Sequence, residues 1–367
     1  MILILCFSRR TPSSDHSNRF SLVVESWGTM MLAYKALQRK LPHVFIDTTG
    51  CAFTYVVARI LGGCQVVAYV HYPTISTDML ALVWARRPTY NNDSQVTQSR
   101  LTTYAKLVYY VLFAIAYGCV GSLATLVMVN STWTYSHISS IWRGSSRRIK
   151  IVFPPCDVDH LQQLPLEHRQ ELIVSIGQFR PEKDHSLQIR TLKLLMERDP
   201  IFTRWKLVLI GSCRGEADEA RRKTLSVLIE SLQLQNNVHF VLNQPSSMVK
   251  RYLGEASVGL HTMWNEHFGI GVVEMMAAGL LVVGHKSGGP KTDILSPLDG
   301  KPTGYLAATA EEYADAICEA IALENIKEME LRRNARKKSQ LFSDQVFTEA
   351  FQRALLDSGI LGLSKGR

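Results

Sequence analysis

Two glutamates with seven residues between them, Glu266 and Glu274, lie in the stretch WNEHFGIGVVEMMAAG from Trp264 to Gly279. Gly269 and Gly271 open an apolar run that reads as a helix, and the preceding ASVGLHTM reads as a buried strand. A strand, a tight loop and a helix N-terminus form an anion site, because the backbone N–H groups of the first turn have no partner within the helix. The pattern predicts Glu266 in the loop at the mouth of that site and Glu274 over one turn further into the helix. One carboxylate can then face a sugar while the other reaches a ribose, with phosphates held between them. Two glutamates at this spacing are more often a solvated helix face. The strand before them and the sequence SGGP after them, Ser287–Pro290, favour a site.

A second constellation follows another apolar run. IGQFRPEKDH, Ile176 to His185, carries Gly177, Arg180 and Lys183 at a strand end. Two cations three residues apart can grip a diphosphate, the guanidinium by its fork and the ammonium as a point charge. The bland alternative is a charged loop that starts a helix. A third candidate is His71, at the end of the apolar strand in YVHYPTISTDML (Tyr69–Leu80). A lone histidine is often structural, but a doubly wound sheet presents its ligands at this end of its strands.

The elements that position these groups alternate strand and helix. Strands are predicted over 171–179, 205–212, 237–242, SVGLHT, 280–289 and 303–306, with helices over 186–197, 217–232, 247–254 and from Thr309 onward. In the first half, HVFIDTTG (43–50), QVVAYVHYP (65–73), LATLVMVN and RIKIVFPPCDVD (148–159) read as strands, with a helix over 53–61 and a second around Gly28. The residues 89–99, TYNNDSQVTQS, read as a mobile loop, and Pro154-Pro155 marks a boundary. The expected division is a first domain over 1–158, a second over 159–340 and a C-terminal helix over 341–367.

Composition agrees with such a protein. The chain has 367 residues, 46% hydrophobic and 20% charged, enough for two α/β domains with real cores. Its net charge of +9 gathers at 147–150 (RRIK), 221–223 (RRK) and 332–338 (RRNARKK), read either as solvated helix faces or as attraction to anionic headgroups or phosphorylated substrates. No aromatic-basic interleaving or known reader motif points to nucleic acid. Seven cysteines, an odd number without a CxxC pair, indicate neither a disulfide framework nor a zinc site, and suit a reducing, cytosol-facing compartment.

The apolar start, MILILCF, is too short to span a bilayer and lacks a cleavage site. The stretch Leu107–Val129 has no charged residue and is long enough to span. Gly118, Gly121 and Ser122 divide it into a helix to about Val120 and a core strand. A helix apolar on every side is unusual on a soluble surface, so the region 107–120 is expected to dip into one leaflet. Arg86, Arg87 and Lys106 would meet headgroups, and the sequons at Asn92 and Asn130 would stay on the cytosolic side.

The glutamate pair resembles the donor-site signature of retaining glycosyltransferases of the GT-B fold, family 4. A longer set of strings resembles one family within it, the α-1,2-mannosyltransferases of asparagine-linked glycosylation: VHYPTISTDML, IDTTGCAFT, GGCQVVAYV, GQFRPEKDH, GLHTMWNEHFGIGVVE and SGGPKTDI, within a resemblance running from roughly Phe20 to Phe347. It implies an α/β protein of two doubly wound, Rossmann-like domains facing across a cleft. It further implies transfer of the fourth and fifth mannoses from GDP-mannose to the dolichol-diphosphate oligosaccharide, with retention. The partners so implied are the endoplasmic reticulum membrane, on its cytosolic face, and other mannosyltransferases of the pathway. No cofactor and no metal are expected, in keeping with the absence of a DxD-type cluster.

Carried onto this chain, Arg180, Lys183 and the N–H groups near Phe268 and Gly269 would hold the leaving diphosphate. Glu266 would bind the mannose hydroxyls and Glu274 the ribose. Gly177 would line the donor site, and His71 would lie near the reacting sugar. Family members begin with a hydrophobic anchor and a strand ending in a glycine-rich loop. Nothing here matches either, so the chain reads as N-terminally shortened, with an incomplete first domain. Two other readings remain at this stage: a family 4 transferase for another nucleotide sugar, and a non-catalytic module that binds the donor without turnover.

Overall fold

The computed structural model describes residues 2–5, 21–76, 78–79 and 100–360. The chain divides into two compact units, Met1–Phe153 with Glu349–Arg367, and Pro154–Thr348.

The first unit holds a parallel sheet in the order β1-β2-β3-β4-β5: Ile2–Leu5, Val44–Asp47, Gln65–Val70, Leu126–Val129 and Ile149–Ile151. The run ILIL, read from sequence only as too short to span, forms the edge strand β1, paired in register Ile2↔Val44. β3 and β4 are near-continuous apolar runs because both their faces are buried. Helix α1 spans Ser21–Arg39 and contains Gly28; a short helix Thr54–Val56 continues as a π-turn Val57–Leu61. Helix α2 spans Arg100–Gly121 and α3 spans Thr132–Ile141.

The apolar stretch from Leu107 therefore resolves into helix and strand. α2 is two-sided: Phe113, Tyr117 and Gly121 face inward, while Tyr104, Val108, Val111, Leu112 and Ile115 form an exposed stripe. A Cβ on Gly121 would stand 2.2 Å from the Trp142 ring, so this glycine serves close packing. Among the described residues, no helix is long and apolar enough to cross a membrane. Arg86, Arg87, Asn92 and the expected loop 89–99 lie outside the described residues.

The second unit has six parallel strands in the order β11-β10-β9-β6-β7-β8: β6 Gln170–Ile176, β7 Lys206–Gly211, β8 Val238–Leu242, β9 Ala256–Leu260, β10 Leu281–His285 and β11 Tyr305–Ala307. Between them run α4 His185–Arg198, α5 Gly215–Ser231, α6 Ser246–Glu255 and α7 Ile270–Ala278. α8 Ala310–Ile321, α9 Asn325–Ser339 and α10 Asp344–Asp357 follow the last strand. The chain order reverses between β6 and β9. A doubly wound sheet opens its ligand crevice at that point, outside the carboxyl ends of the strands. Ile173, Leu207, Leu209, Val258, Leu281 and Val283 build the core beneath.

The division falls between Phe153 and Pro154, a few residues before the expected boundary, and the last helix is shared. The Cys156 N–H donates to the Phe342 carbonyl in the second unit, whereas the Phe351 ring lies 6.4 Å from Tyr69 in the first.

The basic clusters are of two kinds: Arg147, Lys150, Lys223, Arg333 and Lys337 are exposed, as solvated faces would be, whereas several arginines are taken up by backbone carbonyls. Arg148 donates to the carbonyls of Ser122, Ala124 and Gly144. Arg332, 1% exposed, donates to the carbonyls of Ser257 and Gly279, and Arg336 to those of Leu164, Ala277 and Ala278. Arg169 joins them on Leu253, Ala256 and Ala278. Three guanidiniums thus satisfy the carbonyls that the C-terminus of α7 cannot bond within the helix. Arg169, Arg332 and Arg336 are therefore structural cations.

Candidate functional site

The second unit gathers its candidate residues at the carboxyl ends of β6 and β9, the reversal point of the sheet. After β6 the chain passes Gly177 and buried Phe179, then turns at Arg180, which precedes a single 3-10 turn, Pro181–Lys183. Asp184, in left-handed conformation with φ 43°, caps α4 by accepting from Leu187 N–H at 3.2 Å. After β9, Thr262 ties the two segments together: its hydroxyl donates to the Lys183 carbonyl (2.8 Å) and accepts from Gln188 Nε2 (2.7 Å).

This clasp brings Lys183 Nζ to 2.5 Å from Glu266 Oε2 across 83 residues of sequence. His261 Nε2 lies 3.1 Å from the same oxygen, donating to it when Glu266 is ionised. Burial alone would raise the Glu266 pKa. The His261 hydrogen bond and the charges of Lys183 and His261 outweigh it and hold the carboxyl well below the usual range. Glu266 is thus a fixed anion with one oxygen engaged and a side chain only 14% exposed. Sequence reasoning passed over His261, which sat inside a predicted strand. Its signal was an imidazole at a strand end, five residues before a carboxylate.

The loop itself is set by SGGP. Gly289 N–H donates to the Glu266 carbonyl at 2.8 Å, and Ser287 Oγ accepts from Asn265 N–H at 2.7 Å while lying 2.8 Å from His285 Nδ1. Gly288 has φ +58°, and a Cβ there would stand 2.2 Å from the Glu266 carbonyl oxygen, so the seat accepts only glycine. Gly269, also left-handed, is the N-cap of α7 and accepts from Val272 N–H; Phe268 beside it is buried. Ile270 and Gly271, ahead of Val272 in α7, have no earlier helical carbonyl to bond, and such N–H groups at a helix start favour an anion. Glu274 lies in α7 and is half-buried. Burial raises its pKa, the His160 charge lowers it, and Asp157 raises it again. The Arg180 residue is half-buried, and its side chain makes no hydrogen bond or ion pair with a described residue. His185 stacks on Phe179 at 4.9 Å, and burial with the nearby charges of Arg221, Lys183 and His261 takes its pKa down to about 4. It is neutral at physiological pH.

The structure thus joins Gly177, Lys183, Glu266, Phe268 and Gly269 in one place. His71 belongs to the first unit, directly after β3, its ring 4.7 Å from that of Tyr69. Desolvation lowers its pKa, against opposing contributions from the Asp47 charge and the Thr48 backbone. Asp47, not foreseen from the sequence, is fully buried at the end of β2. It accepts from Tyr55 Oη (2.7 Å), Thr49 N–H (2.9 Å) and Thr49 Oγ1 (2.7 Å). Among the described residues no group of three or more His, Cys, Asp or Glu could hold a metal ion.

Residues 2–142 match the family model for the ALG11 mannosyltransferase N-terminus, and residues 159–338 match that for glycosyl transferases group 1. Curated proteins called GDP-Man:Man(3)GlcNAc(2)-PP-Dol alpha-1,2-mannosyltransferase are similar: 48% identical in Mus musculus and 46% in Homo sapiens, over 90% of this chain and 68% of each relative. The chain belongs to the ALG11 mannosyltransferase family. The Dictyostelium discoideum relative of the same name is 43% identical over 91% of this chain and 67% of its own length. Solved structures agree on the fold alone. An α,α-trehalose 6-phosphate synthase from Burkholderia multivorans gives a TM-score of 0.72 at 12% identity, covering 94% of this chain and 78% of that one. A sucrose-phosphate synthase from Thermosynechococcus elongatus gives 0.67 at 18%, covering 94% and 80%. The ALG11-family chain is thus a glycosyltransferase of the GT-B fold, with a parallel α/β sheet in each unit.

Proposed function

We propose that this chain transfers mannose from GDP-mannose, in α-1,2 linkage and with retention, to a dolichol-diphosphate-linked core oligosaccharide at the cytosolic face of the endoplasmic reticulum. The observation that carries the reading is the identity of 48% and 46% to relatives bearing that activity as their name, over 90% of the chain. The geometry of the second unit supports it. Lys183, Arg180 at the start of the turn that carries it, and the N-terminus of α7 would together supply the positive charge for a diphosphate. Positioned donors of this kind stabilise charge that develops on a leaving group. Glu266, held ionised by His261 and Lys183, keeps one oxygen for the mannose hydroxyls, and Glu274 serves the ribose. In the step itself, the bond from the anomeric carbon to the phosphate oxygen breaks. The acceptor oxygen bonds to that carbon on the same face, and its proton passes to the departing phosphate oxygen. His71 would lie near the reacting sugar, its pKa lowered by desolvation.

Membrane association is part of the reading. The exposed stripe of α2 and that of α1 (Val23, Val24, Trp27 and Met31) would lie in the interface of one leaflet. The test uses cells that lack their own enzyme of this family and accumulate the three-mannose lipid-linked oligosaccharide. Expression of this chain should convert that species into one with two further α-1,2-linked mannoses. An unchanged profile, with the protein present at the membrane, would refute the proposal.

A further inference from the structure

Beside the sheet of the first unit, α1 and α2 enclose a cleft of about 410 Å³. Val23, Trp27, Met30, Phe53, Leu112 and Phe113 line most of it; Tyr109 and Ser26 bring the two hydroxyls, and no carboxylate, amine, guanidinium or imidazole lines it. The one hydroxyl from α1, on Ser26, is turned to the Leu22 carbonyl at 2.6 Å. The site therefore offers nothing to a charged headgroup and suits a hydrocarbon. Its mouth is continuous with the exposed stripes of both helices, since Trp27, Val23 and Leu112 belong to stripe and cleft alike. Together these form an apolar patch rather than scattered surface residues.

The inner wall points to one occupant. Phe53 and Phe113 pack at 5.4 Å, and Tyr117 lies 6.4 and 6.5 Å from them. The Tyr117 hydroxyl donates to the Gly50 carbonyl and accepts from Thr74 N–H, in the loops that follow β2 and β3. Those loops begin at Asp47 and His71. The apolar cleft thus ends where the sheet presents its polar, carboxyl-end groups. A molecule with a hydrocarbon tail on a sugar-bearing diphosphate head has the same two-part layout.

We propose that the α1–α2 cleft takes the first isoprenoid units of the acceptor's lipid and so delivers its head to the β2 and β3 loops. This rests on the reading of a polyprenyl-linked acceptor given above. A bilayer lipid with two acyl chains has no sugar-bearing head for the polar groups of those loops, so the occupant we assign is the polyisoprenoid.

The test is photolabelling of the full chain in detergent micelles by a polyprenyl diphosphate with a diazirine in its first isoprenoid units. Label is expected in the peptides covering 23–30 and 109–116, displaced by unlabelled polyprenyl phosphate and not by dioleoyl phosphatidylcholine. Ala116→Trp, which fills the cleft, should reduce labelling and raise KM for a long-chain acceptor on the order of 10-fold, the scale of a lost hydrophobic pocket contact. The circular dichroism spectrum and unfolding midpoint of that variant should match those of the unsubstituted chain, which shows that the first unit folds. Equal displacement by phosphatidylcholine would reduce the cleft to a general membrane contact and overturn the proposal, as would label spread over other segments. Labelling needs no turnover. Specific label without mannose transfer would sink the functional reading alone, and transfer without specific label would sink this inference alone.

Discussion

Replacing His261 with phenylalanine tests how Glu266 is held. The ring is of similar shape and only 5% of the histidine side chain is exposed, so packing is largely kept while the donor at 3.1 Å is lost. Glu266 retains Lys183 at 2.5 Å, so the site loses one of two charge-stabilising contacts. A hydrogen bond to a charged group is worth about 1.5–3 kcal/mol. If that stabilisation is felt in the transition state, kcat/KM falls by about 10- to 150-fold at 1.36 kcal/mol per decade. The pH dependence carries the sharper signature. The folded pKa of Glu266 lies below its unfolded value, so the ionised form stabilises the protein above the ordinary carboxylate pKa, and this is lost as pH falls through the depressed one. Without His261 the folded pKa rises, so the acid limb of kcat/KM moves to higher pH. The assay is mannose transfer from GDP-mannose at fixed lipid acceptor, from acidic to neutral pH, with GDP affinity measured by calorimetry on the same samples. An acid limb at the wild-type position, whatever the loss in rate, would refute the assignment of His261 as the residue that positions Glu266.

Arg180→Ala and Lys183→Ala should each lower transfer by at least about 100-fold, the scale for one preorganised charge stabiliser; near-normal turnover in both would return them to ordinary loop charges. Glu266→Ala should abolish transfer with a modest loss of GDP affinity, whereas Glu274→Ala should weaken GDP binding itself, and equal losses of affinity would show the division of roles to be wrong. Gly288→Ala should unseat the Glu266 loop, because its Cβ would fall 2.2 Å from a carbonyl oxygen, so donor binding should fall with little change in helix content by circular dichroism. Arg332→Ala strands the carbonyls of Ser257 and Gly279 and should destabilise the second unit by about 3 kcal/mol, visible as a lower unfolding midpoint, while activity below that midpoint survives.

Much of the fold was legible because parallel strands buried on both faces announce themselves as unbroken apolar runs, as in VVAYV of β3 and LVLI of β7. The glutamate loop was legible for a similar reason: Glu266 falls outside the apolar helical run and Glu274 inside it. The parts that escaped reading depend on partners distant in sequence. Arg332 and Arg336 look like a charged helix face until α9 is placed against the end of α7, where backbone carbonyls, invisible in a sequence, take up their donors. The pairing of Lys183 with Glu266 needs β6 and β9 to be neighbours at the point where strand order reverses. β1 is four residues long, below the length at which an apolar run separates from noise. Asn130 looked like a glycosylation acceptor, yet it is 4% exposed and accepts from Thr134 Oγ1 at 2.7 Å beside the Ser131 cap of α3. Its lack of glycan would follow from burial and carries no information on topology.

The central claim is tested most directly by donor choice in a defined transfer reaction. The purified chain in micelles is supplied with the three-mannose dolichol-diphosphate acceptor and, in parallel, with GDP-mannose or UDP-glucose. The account predicts transfer from GDP-mannose only, giving mannose that an α-1,2-specific mannosidase removes. Transfer from UDP-glucose at a comparable rate, or tight GDP binding with no transfer from either donor, would contradict it.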